Sequence, residues 1–272
     1  MDNNGIISVI MAVYNCEDTL NEAIDSILSQ TYDNWQFVIC NDCSTDRTQS
    51  ILEEYQRQYP DRFILLRNEK NMRLSYSLNR CLKKATGSYI ARMDGDDRST
   101  PDRFEKQVAF LRDHPEYDLV GTAMRRFNDD GLADTVEKPE FVDKYTMRTS
   151  VPFNHATIMT YPSVYERLGG YTVSERTNRS QDYDLWFRFF HAGFTGYNIQ
   201  EPLYLVREDM NAIRRRTFRV RWNAFKTTRY GFRLLGFPKR WLIKPFLTML
   251  GKSLVPYRLI LLYRNHQKRE RQ

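Results

Sequence analysis

The chain has no apolar run long enough to cross a bilayer, no internal repeat, and only four histidines and four cysteines in 272 residues. A spanning helix needs about 18–20 apolar residues in sequence. The most apolar stretch, after Trp241, is broken by Lys244, Pro245, Lys252, Pro256 and Arg258. Cys40 and Cys43 form a lone CxxC, with no second pair and no Cys/His cluster, while Cys16 and Cys81 stand apart, so a zinc or redox centre is not expected. Reduced thiols fit that pattern. The first residues lack the basic and apolar blocks of a secretory signal, so the expected location is cytoplasmic. The length suits one substantial α/β domain with an appendage.

The apolar segments that do occur are short and ordered. Ile6 to Val13 is mostly β-branched and reads as a buried parallel strand, and a helix follows with Leu20, Ala23, Ile24, Ile27 and Leu28 at helical spacing. Phe37 to Cys40 gives a second strand, Ile51, Leu52 and Tyr55 a helix, and Phe63 to Leu66 a third strand. Leu74, Leu78 and Leu82 then mark a helix before the strand that ends at Asp94. Strands alternating with helices predict a doubly wound, largely parallel sheet, whose ligands bind beyond the carboxyl ends of the strands. Tyr14, Asp42 and Asp94 all fall at such ends.

The fourth strand runs into Asp94-Gly95-Asp96-Asp97. Carboxylates so close repel, and a divalent cation carried with a diphosphate would relieve them. Hard oxygens suit Mg²⁺ or Mn²⁺, and Gly95 lets backbone approach a ligand. A polar turn ahead of a helix at Ser99, Thr100 and Pro101 is the structural alternative.

Five segments in this order carry a family resemblance: Ser8 to Asn15, Ser26 to Tyr32, Asn41-Asp42-Cys43-Ser44-Thr45-Asp46, Met93 to Asp97, and Gln181-Asp182-Tyr183-Asp184-Leu185-Trp186. Together they resemble the family-2 glycosyltransferases of the GT-A fold, over about Ile6 to Arg207. The resemblance implies an α/β fold with a Rossmann-like, mostly parallel central sheet flanked by helices. It implies a catalytic domain over 1–206, with a nucleotide-sugar half to about 98 and an acceptor half from about 99; the remainder, 207–272, is expected from its composition to be a helical, basic, amphipathic extension. The resemblance also implies roles. Ala12, Val13, Tyr14 and Asn15 would hold the nucleotide base, Tyr14 by stacking. Asp42 would accept hydrogen bonds from base or ribose, with Gly95 and Arg73 beside the donor. Asp94 would reach ribose or metal, and Asp96 would ligate the Mn²⁺ or Mg²⁺. Asp182 would be the general base of an inverting transfer. Asp184, about 200° further round a helix, cannot share its direction.

The chain departs from the family pattern at Gln181 (usually Glu), Cys43 (often Gly), Ala12 (often Pro) and Arg73 (commonly Gly). Arg73 could meet the donor's phosphate or sugar as a fixed cation, or simply be solvated at a helix start. Val151 to Met159 resembles the family's segment after the metal motif, which implies that His155 points toward the site and contacts substrate or phosphate; a structural role is the alternative.

Charge is unevenly spread. From Arg207 onward there are 18 Lys and Arg against 3 Asp and Glu, a net +15, so the first 206 residues carry −8 of the overall +7. This tail also holds Phe218, Trp222, Phe225, Phe232, Trp241, Phe246 and Leu259 to Leu262. Basic, aromatic, amphipathic segments favour the surface of an anionic bilayer, so the expected location is peripheral, on the cytosolic face. Packing on the catalytic domain or an oligomer interface is the alternative. Nucleic acid is not an expected partner, since large aliphatics beside Pro suit phosphate grooves poorly. Arg214 and Arg215 could instead receive an acceptor's diphosphate. The resemblance implies a nucleotide-sugar donor, UDP-linked by family habit, and a glycan or polyprenyl-diphosphate-linked acceptor in surface polysaccharide synthesis. Transfer to protein or a soluble glycan is the alternative within the class. The processive QxxRW motif is incomplete, Phe218 to Trp222 offering Arg-Trp without the Gln, which favours single addition. A nucleotidyltransferase would bring a Gly-rich basic loop where this chain has Tyr14-Asn15-Cys16-Glu17; a non-catalytic sugar-nucleotide-binding module is a further alternative.

Overall fold

The computed structural model describes residues 5–128, 131–208 and 217–254. The first half alternates as its apolar pattern requires: β1 (Ile7–Val13), α1 (Leu20–Leu28), β2 (Trp35–Asn41), α2 (Thr48–Gln58), β3 (Phe63–Arg67), α3 (Leu74–Leu82) and β4 (Tyr89–Arg92). The second half runs β5 (Arg98–Ser99), α4 (Arg103–Asp113), β6 (Leu119–Asn128), β7 (Gly131–Val136), β8 (Phe141–Val142), β9 (Met159–Thr160), α5 (Pro162–Leu168), α6 (Gln181–His191) and β10 (Gly196–Arg207). Helices α7 (Phe218–Leu234) and α8 (Ile243–Leu254) follow.

One sheet takes in all ten strands, in the order β3-β2-β1-β4-β9-β6-β10-β5, with β7 on β6 and β8 on β10. β3, β2, β1 and β4 run parallel to one another. Past β4 the sheet is mixed: β9 is antiparallel to β4 and β6, β10 is parallel to β6, and β5 is antiparallel to β10. The expectation of a mostly parallel sheet therefore describes the first half; β5 and β9 are two residues each, too short for any periodicity to announce them.

Alternation along β1 sorts side chains between two layers. Val9, Met11 and Val13 face Leu20, Ile24 and Ile27 of α1, Leu52 of α2 and Phe104 of α4. Ile10, with Val38 of β2, belongs to the opposite layer, with Leu78 of α3, Leu185, Trp186 and Phe189 of α6 and Phe232 of α7. Each such large apolar side chain, fully buried, contributes about 1.5–3 kcal/mol.

α7 lies close on α6 because position 231 is glycine: a Cβ there would sit 2.1 Å from the Phe187 ring. Phe232 meets Phe187 edge-on at 6.0 Å, and Phe237 stacks with Tyr145 at 5.7 Å. So Phe232 and Phe237 of the basic tail pack into the domain, and the apolar side chains it leaves exposed include Phe218, Trp222, Ile243, Phe246, Leu247 and Leu254. No helix among the described residues is long and apolar enough to cross a membrane.

Candidate active site

The carboxyl ends of β1, β2 and β4 meet in a tightly wired set of loops. The Val13 carbonyl accepts from Asp42 N–H at 2.8 Å. Asn15, at φ 52°, donates its N–H to Ser44 Oγ at 3.0 Å and accepts from Thr45 N–H on Oδ1 at 2.9 Å. Ala12 is half-buried in β1, Val13 is buried, and Tyr14, just beyond the strand, is 47% exposed with its ring on a cleft.

Asp42 is buried, and its carboxylate already takes three protein donors: Asn68 Nδ2 at 2.6 Å and Met72 N–H at 2.7 Å on Oδ1, and Arg73 N–H at 2.7 Å on Oδ2. The two lone pairs of Oδ1 are therefore filled from within the chain. What Asp42 does in this structure is fix the loop ahead of α3. In that loop Arg73 adopts φ 70° and ψ 165°, a conformation that glycine takes freely and other residues at a cost, which accounts physically for the glycine common at this place in the family pattern. Cys43, the other departure from glycine, is also left-handed, at φ 63°.

At the end of β4, Asp94, Asp96 and Asp97 bring one carboxylate oxygen each to within 4.8 Å of the others. Arg92, buried in the strand, reaches both Asp94 oxygens, Nη1 to Oδ2 at 2.8 Å and Nη2 to Oδ1 at 2.5 Å. From the far side of the sheet, Tyr204 Oη accepts from Asp94 N–H at 3.1 Å, and Arg207 N–H donates to Asp97 Oδ1 at 2.8 Å. Loss of hydration, then the Asp94 carboxylate, pushes Asp96 above the usual carboxylate range; burial, then Asp94 and Asp96, pushes Asp97 well above it. Gly95 is needed for approach: a Cβ there would lie 2.7 Å from Val13 Cγ1. Three hard oxygens converging with too little positive charge among them are a donor set that fits a divalent cation.

Asp182 and Asp184 both lie in the first turn of α6 and part as helical geometry requires. Asp184 is fully buried, accepting from Thr172 Oγ1 at 2.6 Å, Arg176 Nη2 at 2.7 Å and Arg188 Nε at 2.9 Å. Burial would raise its pKa, but the Thr172 hydroxyl and the two guanidiniums outweigh burial and hold it below the usual range. Asp182 lines the cleft instead, and burial holds its pKa up against the Tyr183 N–H and the charges of Arg92 and Lys138.

Tyr14, Arg73 and Asp182 line one cavity of about 1600 Å³, which continues to α7 and α8. The carboxylate cluster lies outside that lining; Arg92, paired with Asp94 and within electrostatic reach of Asp182, lies between them. His155 is also outside the lining, Nε2 on Tyr171 Oη at 2.9 Å and Tyr171 Oη on Tyr165 Oη at 2.8 Å. Burial, then Arg92, holds its imidazole well below the ordinary range, so it offers no cation at neutral pH. This is the structural alternative for His155 rather than a group turned to substrate. Arg214 and Arg215 lie outside the described residues. Residue patterns did not single out Arg92, Tyr204, Arg207 or Lys138; a lone arginine two residues before the first aspartate of an apolar strand is the one local signal among them.

A mixed sheet with a parallel nucleotide-type half, and an acidic cluster at the end of its fourth strand, is the architecture of the GT-A fold. The profile of glycosyl transferase family 2 matches residues 8–201, and the chain belongs to that family. It is 51% identical over 218 residues to the putative glycosyltransferase EpsE of Bacillus subtilis, covering 80% of this chain and 78% of that one. It is 28% identical over 199 residues to the UDP-Glc:alpha-D-GlcNAc-diphosphoundecaprenol beta-1,3-glucosyltransferase WfaP of Escherichia coli, covering 71% and 73%. Among solved structures, S. aureus TarS 1–349 with UDP-GlcNAc superposes with a TM-score of 0.70 at 17% identity, over 90% of this chain and 72% of that one. The mannosyltransferase PcManGT of Pyrobaculum calidifontis, with GDP-Man and Mn²⁺, gives 0.64 at 18% identity, over 97% and 80%. At such identities the structural likeness speaks for the fold alone.

Proposed function

We propose that the chain moves one sugar, with inversion, from a nucleotide-sugar, UDP-linked, to a glycan carried on a polyprenyl diphosphate, during synthesis of a surface polysaccharide. The observation that carries this reading is the cleft that joins Tyr14 and Arg73, at the nucleotide end of the sheet, to Asp182 on α6, beside three carboxylates of which Arg92 pairs only Asp94. The names of relatives support the ligands: TarS is complexed with UDP-GlcNAc, and WfaP is named for UDP-Glc and a diphosphoundecaprenol acceptor.

In this reading Tyr14 stacks on the base. Asp42 accepts a hydrogen bond from base or ribose on Oδ2, which among the described residues takes only Arg73 N–H from the chain, and so holds Arg73 where its guanidinium can meet the donor. Asp94 and Asp96, with Asp97 behind them, would hold Mn²⁺ or Mg²⁺, and the ion would supply charge neutralisation for the diphosphate leaving group. Asp182 accepts the proton of the acceptor hydroxyl, which makes that oxygen a competent nucleophile. Residues 1–206 form the catalytic unit and 207–272 its extension. The exposed Phe218, Trp222, Ile243, Leu247 and Leu254, on a segment of high positive charge, support attachment to the cytosolic face of a membrane.

Calorimetric titration of UDP-sugars with and without Mn²⁺ tests the core of this reading. Wild type should lose donor affinity about tenfold or more on chelation, and Asp96→Ala should bind donor weakly whether or not metal is present. Donor affinity untouched by chelator in wild type overturns the metal assignment.

A further inference from the structure

Beyond Asp182 the cavity meets a second wall, made by α7 and α8, whose composition differs from the nucleotide end. Lys244, Thr248 and Lys252 of α8 all line it. At positions i, i+4 and i+8 they form a single row, about 12 Å from first to last along the helix. Arg148 lines it as well, its guanidinium held 4.4 Å over the Trp241 ring. In the whole lining six Lys and Arg face two carboxylates, Asp182 and Glu175, and Glu175 is ion-paired with Arg219. A concave surface with this surplus concentrates anions.

The neighbouring face of α8 has the opposite character. Ile243, Leu247 and Leu254 are 60%, 59% and 82% exposed. An aromatic ladder continues this apolar surface onto α7, Phe246 to Phe225 at 5.4 Å, Phe225 to Trp222 at 5.6 Å and Trp222 to Phe218 at 6.4 Å. One twelve-residue helix thus carries a cationic row facing the cavity beside an apolar row facing out. That pairing suits a ligand whose anionic head adjoins an apolar tail. Spaced ammonium groups with a hydroxyl between them match the many oxygens of a phosphate, whereas a lone carboxylate is better met by one bidentate arginine.

We propose that Lys244, Thr248 and Lys252 of α8, with Arg148 beside them, form the subsite that binds the diphosphate of a lipid-linked acceptor. This rests on the glycosyl-transfer reading above and adds to it a site for the acceptor's head group. The acceptor glycan would then lie between this row and Asp182, in the same cavity.

Farnesyl diphosphate, farnesol and inorganic pyrophosphate are suitable probes, titrated by calorimetry into the full-length chain, with UDP reporting on the donor end. Wild type should bind farnesyl diphosphate about tenfold or more tightly than either farnesol or pyrophosphate. Lys244→Gln/Lys252→Gln should lose about tenfold for farnesyl diphosphate and keep its UDP affinity. Lys244→Arg/Lys252→Arg should retain binding, and Lys226→Gln, on α7 outside the cavity, should change nothing. Equal farnesyl diphosphate affinity in wild type and the double Gln variant overturns the subsite. So does a parallel loss of UDP binding, which would give the lysines to the donor. Pyrophosphate bound as tightly as farnesyl diphosphate would make the site one for free phosphates and overturn the lipid assignment. Failure of wild type to bind UDP at all would strike the glycosyl-transfer reading itself, a result separate from any of these.

Discussion

Asp184 and the carboxylates at the end of β4 are the same chemical group in opposite company. Around Asp184 the chain supplies the Thr172 hydroxyl and two guanidiniums, and the carboxyl stays ionised below the usual range. Around Asp94, Asp96 and Asp97 it supplies one buried guanidinium, Arg92, and burial, then the neighbouring carboxylates, pushes Asp96 and Asp97 upward. Asp182 sits two residues from Asp184, yet it resembles the β4 group: burial raises it, and the Tyr183 N–H with the charges of Arg92 and Lys138 opposes without cancelling the rise. A carboxylate that serves packing is surrounded by enough positive charge to satisfy it. Those left short are the ones where a ligand or a transferred proton completes the arrangement.

The largest effect should separate the two aspartates of α6. Asp182→Asn should lose about 10²- to 10⁴-fold in turnover, the range for a missing general base. Donor affinity and unfolding temperature should stay near wild type, because this carboxylate satisfies no buried cation. Its raised pKa fixes the sign of the pH dependence. The base works ionised, so wild-type turnover should climb with pH through a value above the usual carboxylate range, with Arg92 and Lys138 limiting the rise in pKa and Tyr183 N–H doing the same. Asp182→Asn should lack that limb. Steady-state rates that match between the two proteins would remove Asp182 from the chemistry.

Asp184→Asn should do the reverse, costing stability and leaving the chemistry of molecules that remain folded nearly intact. Removing one partner from a buried ion pair costs about 3–5 kcal/mol, against a total of about 5–15 kcal/mol for a domain. A carboxyl whose folded pKa is depressed contributes its stability above the unfolded value, near 4, and loses it as pH falls through the folded one. Wild type should therefore weaken below about pH 4, and Asp184→Asn should be unstable throughout with a flatter acid dependence. Denaturant unfolding from pH 3 to 7 measures both. An Asp184→Asn protein as stable as wild type would mean that Arg176 and Arg188 find other partners, and the contrast with the β4 group would fail.

Much of this was legible along the chain because the informative residues are local. Tyr14, Asp42 and Asp94 terminate strands whose apolar runs are plain, and Asp182 opens a helix whose apolar positions repeat at 3.6. The partners of those residues were not legible. Tyr204 and Arg207 reach the β4 cluster from more than a hundred residues away, because β10 runs beside a two-residue β5 that no pattern marks. Arg92 escaped for another reason: a charged residue inside a strand is expected at the surface, and here Asp94 makes its burial tolerable. The tail misled in part, since aromatic side chains that pack on α6 and those that remain exposed alternate within one composition. His155 likewise gave no sign that Tyr171, sixteen residues on, would take its ring nitrogen.

The smallest effect extends the contrast to a cation and separates charge from backbone strain. Arg73 adopts φ 70° and ψ 165° ahead of α3, held by the bonds of Met72 and Arg73 N–H to Asp42. A non-glycine residue in that region costs about 1–3 kcal/mol, while glycine's freedom in the unfolded chain returns about 0.4–1 kcal/mol of the gain. Arg73→Gly should therefore stabilise by about 1 kcal/mol, which at this size raises the unfolding temperature by about 2–4 °C. Arg73→Ala keeps the strain and loses the guanidinium, so it should leave the unfolding temperature unchanged. Both should weaken UDP-sugar binding equally if the guanidinium meets the donor, because both remove it. A stabilised Arg73→Gly protein with undiminished donor affinity would make Arg73 a solvated residue that happens to occupy a glycine's place. Weaker binding in both variants, with stabilisation in only one, would mean that the chain tolerates a strained backbone to keep a positive charge beside the donor.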